Sequence, residues 1–538
     1  MKKNFSFRGL LLFALVVLAA MLSSCSKSAY KKTIPADAPI VVELDVKNIG
    51  LKSDFLAQKD DIADLILSID SEDADLKKLA DMLRTPQDLG LDMLSPMYFF
   101  TPSSVDEGYI LASVRDKETV AKKLKKISEA VELSESGDIT WVEEHGRLVA
   151  ALTPKSLLLG SSNNRNDYRD LLENDKSFFS TDAGKFFKKN AADITATINM
   201  ENLSRKAKRE IRSELEHQFR DLRPYLTEDV WEKLFEMQWV VNLNFKSGEF
   251  DLNLFADGVD EDDLDVLTKK VSKETLKLIP ERNLLALVAL GIDGEEYCKA
   301  IDKAMEETGA SFNGEEKMIY NMVKQILRKT DGTLAAAVAG KNFDSDPDFL
   351  FIMPTPFSEI KPMLDIFGDE IPKDIYIDGD KKAFSVTNIR TYNYGEAKPS
   401  FEKAGNATSS YAYAYVDAEP IVDAYFTERT RRTIPEEVRF LNAWRRLADL
   451  FDFAQAKVEK RDAASIEFIL NDDSKNSLAL FLEQGIKVGA ACIEYDKVRA
   501  QRYNYDYLLD EDYYDFEVVE AVDAEEPAPA EEGEKVVW

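Results

Sequence analysis

The sequence predicts an α+β protein: antiparallel sheets packed against long helices, arranged as two diverged copies of one unit and followed by an acidic tail. Three observations predict it. Short runs alternate apolar and polar residues, as strands with one buried face do. Between them lie stretches with apolar residues at helical spacing. The order strand, acidic cap, helix, hairpin occurs twice at low identity. The expected divisions are a leader at 1–24, halves at 25–278 and 279–493, and a largely disordered acidic tail at 494–538.

The leader comes first. Lys2, Lys3 and Arg8 precede an unbroken apolar run from Leu10 to Leu22. That run is shorter than the ~20 residues a membrane-spanning helix needs, and it fits the apolar region of a secretory signal. Leu22-Ser23-Ser24-Cys25 then resembles a bacterial lipobox. Small residues let the peptidase reach the cut, and the thiol of Cys25 is the expected lipid-attachment point. Two or more acyl chains anchor stably, where one alone binds reversibly. Ser26 after the cysteine and the basic Lys27, Lys31 and Lys32 point to the outer membrane, periplasm-facing, with the cell surface as the alternative.

In the first half, Ile34-Pro35 feeds the apolar strand IVVELDV at 40–46. A helical stretch runs to about Arg84. Strands follow at 98–100 and 109–114. A helix at 116–131 carries Val120, Leu124, Ile127 and Val131 on one face. TWVEEHGRLVAAL reads as a hairpin turning at His145-Gly146. DITATINM (193–200) opens a further unit, with a helix at 204–222 striped by Ala207, Ile211, Leu215, Phe219 and Leu222. In the hairpin after it, Val241, Leu243 and Phe245 alternate with Asn242, Asn244 and Lys246. Ser247-Gly248 turns, and Phe250, Leu252 and Leu254 return, one face buried and one wet.

The second half repeats the plan. Ile279-Pro280 feeds LLALVALGI (284–292), and SYAYAYVDAEPIVDAYF (410–426) parallels DITATINMENLSRKAK. A helix follows Pro435, with Val438, Leu441, Trp444, Ala448 and Phe451 at helical spacing. SIEFIL (465–470) and LALFL (478–482) read as the closing hairpin. From 494 onward the chain is dominated by acids, tyrosines and the run EEPAPAEEGEK, which cannot bury enough apolar surface to offset ordering.

The lipobox, the IPADAPIVVELD opening and the two-part plan together resemble a family of large lipoproteins from the Bacteroidota known as a domain of unknown function. The resemblance covers most of the chain after the leader. It implies a location and no activity, so it assigns no site residues.

Composition bounds the function. The 538 residues carry a net charge of −30, with 45% hydrophobic and 10% aromatic residues. Such a balance fits a folded chain. It argues against nucleic acid, which needs a basic footprint, and against broad contact with an anionic membrane surface. Cys298 and Cys492 read as separate buried thiols, with a disulfide as the open alternative in an oxidising compartment.

Candidate chemistry is sparse. The two histidines, His145 and His217, lack metal-ligand spacing. No GxSxG elbow, P-loop or GxGxxG occurs. Asp344, Asp346 and Asp348 have calcium-loop spacing, but Phe349 and Thr355 stand where such a loop needs Gly and Glu, so the segment reads as an acidic connection between strands. The helix from 204 carries Arg205, Lys208, Arg209 and Arg212. These form a candidate docking face for an anionic partner or the acidic tail, against a solvated face with i,i+4 pairs. The tyrosines Tyr503, Tyr505, Tyr507, Tyr513 and Tyr514 form a recognition element or a last ordered segment.

The sequence therefore predicts no enzyme, cofactor or metal. It predicts a lipid-anchored envelope protein with a binding or interaction role, its partners being the membrane, through the N-terminal lipid, and another envelope protein. The alternative is a periplasmic carrier or chaperone holding a hydrophobic or polysaccharide ligand. An apolar cavity would favour the carrier, and a large flat apolar patch a protein partner.

Overall fold

The computed structural model describes residues 28–102, 107–127, 130–218, 220, 228–258, 268–279, 284–308, 314–340, 347–367, 371–390, 407–430 and 435–511. The leader at 1–24, Cys25, Asp344, Asp346, Tyr513, Tyr514 and the tail beyond 511 lie outside them.

Eighteen strands form one continuous sheet. The first half contributes β1 (Ile40–Leu44), β2 (Met97–Thr101), β3 (Tyr109–Ser113), β4 (Val131–Ser136), β5 (Ile139–Glu144), β6 (Arg147–Leu152), β7 (Ser156–Gly160), β8 (Ile194–Asn199), β9 (Gln238–Lys246) and β10 (Glu249–Asp257). The second half contributes β11 (Leu284–Asp293), β12 (Asp331–Ala339), β13 (Asp348–Met353), β14 (Tyr376–Gly379), β15 (Phe384–Thr387), β16 (Ala412–Asp417), β17 (Phe451–Lys460) and β18 (Ala463–Leu470). Every pairing is antiparallel. From one edge the order is β4-β5-β6-β7-β3-β2-β1-β8-β9-β10, and across the middle it continues β18-β17-β16-β11-β12-β13-β15-β14.

Read outward from the middle, the two lists run in step. Helices Val46–Lys52, Phe55–Ile69 and Ala74–Arg84 lie between β1 and β2, as Gly294–Thr308 and Gly314–Leu327 lie between β11 and β12. Helix Lys117–Ile127 follows β3, as Phe357–Phe367 follows β13. Arg205–Gln218 and Glu228–Glu236 join β8 to β9, as Glu419–Thr430 and Pro435–Ala448 join β16 to β17. The hairpins β9–β10 and β17–β18 meet through β10 and β18, where Leu252 faces Ile466. Each is the fourth residue of its strand, so the meeting line has a local twofold.

In the first half the sheet is covered on both faces, because side chains alternate along each strand. Met97, Ala112 and Leu157 meet Phe55, Leu79, Leu83 and Leu124 on the helix side. Tyr98, Phe100, Leu111 and Trp141 meet Ile34, Tyr168, Phe178 and Phe187 on the other. In the second half Leu287, Ala289, Ala335 and Tyr413 face Val271, Leu276 and Ile279 on that other face. Local chemistry sets the ends. The Asp73 carboxylate accepts from the backbone N–H groups of Asp75 and Leu76 to start Ala74–Arg84, a cap worth about 1 kcal/mol. His145 (φ 52°) and Gly146 (φ 74°) turn β5 into β6 in the left-handed region that two-residue hairpins need.

Several sequence expectations change. The closing hairpin is β17–β18, and LALFL belongs to a long helix, Ser477–Glu511. Its five residues are too few for period two to exclude a helix. Phe481 lies against Phe250 and Phe451, with ring centroids 5.3 and 5.7 Å away, and Leu482 and Ile486 join the first-half core. The helix also crosses the expected boundary at 494. Lys497 donates to the Ser68 carbonyl at 2.8 Å, and the Tyr495 ring stacks on Phe440 at 5.2 Å. Cys492 therefore sits on a helix. The helix expected at 116–131 stops at Ile127, and Val131 opens β4. DITATINM opens no separate unit, because β8 pairs with β1. The polar face of β9 is wet only at its end: Lys246 is exposed, but Asn242 is buried and donates to the Asn190 carbonyl at 2.7 Å.

Candidate apolar binding site

From β2 to β14, thirteen strands of the sheet carry one apolar residue each on the helix-side face in direct cross-strand register. In the first half the row is Met97, Leu44, Ile194, Leu243 and Leu252. It crosses the local twofold to Ile466, Ala456, Ala414 and Val288. It ends at Ala336, Phe351, Val386 and Ile377. Partners directly opposite in antiparallel strands share a face, so this is a continuous apolar stripe.

The row is unevenly covered. Met97 is buried and Leu44 packs against the first-half core. Toward the middle the cover is lost: Leu252 is 37% exposed, Ile466 38% and Val288 54%. About the twofold, Leu243 answers to Ala456, Ile194 to Ala414, Leu44 to Val288 and Met97 to Ala336. The second half has the smaller side chain at each position.

At its far end the row enters a half-open apolar pocket of about 320 Å³ between helices Gly314–Leu327 and Phe357–Phe367 and strands β13 to β15. Val386 and Ile377 of the row line it, with Val323, Ile360, Leu364 and Phe384. Every described lining residue is apolar. Val323, 50% exposed, stands at the mouth.

The opposite face carries charge at the meeting line. The Lys457 ammonium, buried, donates to both Glu467 carboxylate oxygens at 2.7 and 2.8 Å. Gln455 donates to the same carboxylate at 2.6 Å, and Tyr413 donates to Gln455 at 3.1 Å. Lys246 pairs with Asp251 at 2.6 Å. Burial pushes the Asp251 carboxyl up, and its Oδ1 has no hydrogen-bond partner. Burial works against the charge on Lys246, but hydrogen bonds to Asp251 and Glu249 carry its pKa up to about 12. These groups mostly satisfy one another, which fits a structural network closing the seam between halves.

The residues singled out from sequence scatter. Arg205 and Arg209 are exposed on their helix, and Arg209 donates back to the Arg205 carbonyl. Arg212 is engaged by Glu216 at 2.9 Å and Glu228 at 2.8 Å, over the Trp231 ring. Lys208 lies over Phe235. His145 is the turn residue described above, and His217 is in the last turn of its helix. Asp348 begins β13. Cys298 is buried with its thiol pushed up by burial, Cys492 is half-buried, and neither is bonded. Among the described residues no group of three or more His, Cys, Asp or Glu could hold a metal, and no helix is long and apolar enough to cross a membrane. Sequence reasoning missed the row entirely. Its one available signal was the alanine-rich alternation of LAAAVA and SYAYAYV.

A family model described as Domain of unknown function (DUF4836) matches residues 30–363, and the chain belongs to that family. The match spans the whole first half and runs into the helix that roofs the cavity. No curated protein matches. Among solved structures, crystal form III of TP0453 is similar at 12% identity, TM-score 0.24, over 44% of this chain and 82% of that one. Crystal form I gives 13%, 0.24, 44% and 81%, and crystal form IV gives 13%, 0.22, 43% and 83%. Likeness at these scores carries no argument.

Proposed function

We propose that this member of the DUF4836 family is a lipid-anchored, non-catalytic carrier of the cell envelope that holds an apolar ligand against the open middle of its sheet. The observation that carries the reading is the cross-strand row, exposed at Leu252, Ile466 and Val288, running into a concave apolar pocket at Val386 and Ile377. Exposed apolar surface that is contiguous marks a binding site. The row offers no hydrogen-bonding group, which favours a hydrophobic ligand over a polysaccharide. The anchor at Cys25 and a periplasm-facing outer-membrane location rest on the leader sequence. We also infer that the halves descend from an internal duplication. Matching strand order, matching helix placement and the local twofold at Leu252–Ile466 support it. The acidic tail remains part of the proposal from composition alone.

Docking of another envelope protein is the second reading. It is favoured by one observation, the exposed Arg205 and Arg209 in a strongly acidic chain. Organic extraction of the full chain, purified from solubilised envelopes, separates the two. The carrier reading expects a stoichiometric apolar small molecule, lost when Leu252→Lys and Val288→Lys are combined. A stoichiometric protein partner with no such molecule would overturn it.

A further inference from the structure

The cavity of the second half occupies the place that solid core fills in the first. The elements that bound it have counterparts in the first half. β13, β15 and helix Phe357–Phe367 stand where β3, β7 and helix Lys117–Ile127 stand. Ile360 and Leu364 are the fourth and eighth residues of their helix, as Val120 and Leu124 are of theirs. In the first half, the connection from helix Ala74–Arg84 to β2 adds Leu89, Leu91 and Met93 to the core. In the second half the connection from helix to β12 is Arg328 to Thr330. Its buried Thr330 is tied to the Ile326 carbonyl at 3.1 Å and the Thr355 hydroxyl at 2.7 Å. Three aliphatic side chains are traded for a short polar link, and a cavity remains.

From this pairing we infer that the second-half cavity is a binding site for a single aliphatic chain, the acyl chain of a lipid. This deepens the carrier reading and rests on it. Three features identify the occupant. The equivalent space is filled by aliphatic side chains. The lining offers no polar group, so a head group must stay outside. The volume, about 320 Å³, is at the small end of the roughly 300–1,000 Å³ typical of ligand pockets, enough for one chain. The mouth at Val323 and the continuity with the open row give the chain a path in.

The test is calorimetric titration of the delipidated full chain with dodecanoic acid. Saturable one-site binding is expected. Val386→Trp, which fills the cavity, and Val323→Asp, which charges its mouth, should each weaken it at least tenfold. Leu51→Lys, on an exposed helix residue remote from the cavity lining, should leave it unchanged. If Val386→Trp fails to fold, the half-exposed Val323→Asp decides. Undiminished binding in the cavity variants overturns the inference. If such binding is instead lost in Leu252→Lys, the ligand sits on the open face, and the carrier reading survives without the cavity site. No binding in any chain overturns both. Mass spectrometry of the organic extract assigns the source, a free fatty acid or a phospholipid.

Discussion

Eight strands of each half run in the same order outward from the middle, yet the first half packs a buried core where the second has a half-open apolar pocket. The difference is one of side-chain volume and of a connection. Met97, Leu44, Ile194 and Leu243 in the first half face Ala336, Val288, Ala414 and Ala456 at the matching places in the second. Leu89, Leu91 and Met93 pack in one half, and a buried threonine replaces them in the other. Packing density decides what a cavity costs and what it can do. Interiors are normally close-packed, so the apolar pocket of the second half, beside the exposed stripe, is where the proposed ligand has room.

The largest expected effect separates the halves directly. Leu124→Ala opens a hole in a full core and should cost about 2–5 kcal/mol. Leu364→Ala, at the same helix position beside an existing cavity, should cost well under half of that. Urea unfolding with domain-resolved hydrogen exchange measures both, and equal losses would break the comparison. The next effect has opposite signs. Ala150 on β6, fully buried, has no room, so Ala150→Ile should destabilise by about 1–3 kcal/mol. Ile377→Phe on β14 grows into the cavity and should be neutral or stabilise by about 0.5–2 kcal/mol, read by thermal unfolding.

A smaller effect is pH-dependent. Glu43 is the residue before Leu44, where the second half has Leu287 before Val288. Burial holds the Glu43 carboxyl above its ordinary value. A raised carboxyl stabilises the fold below the unfolded value and loses that contribution as pH rises through the folded one. Glu43→Gln should therefore gain stability relative to wild type as pH rises from about 4 toward neutrality. A gain appearing only on acidification would contradict the sign. Smallest of all, Val288→Lys on the open row should shift stability by less than about 0.5 kcal/mol, since there is little burial to lose. A core-sized loss would mean the row is closed.

Much of the fold was legible in the sequence, for local reasons. The turns at His145-Gly146 and Ser247-Gly248 are legible in their glycines, which take the left-handed backbone, and the stretch to about Arg84 is helical, though divided into three helices. What was not legible depends on partners distant in sequence. Phe451 fits the stripe of the helix before it and yet opens β17. LALFL alternates like a strand and becomes helix because Phe481 finds an aromatic nest of Phe250, Phe451 and Phe468. Asn242 looked solvent-facing until the chain near Asn190 covered it. The apolar row takes one residue from each of thirteen strands, so only register, and no linear motif, reveals it.

Xenon at pressure enters dry apolar cavities without needing a specific ligand. A crystal of the delipidated chain under xenon tests the central claim most directly. The account predicts a xenon atom among Val323, Ile360 and Val386, and none among Leu79, Leu124 and Leu157. Xenon absent from the second half, or equally present in both, would contradict it.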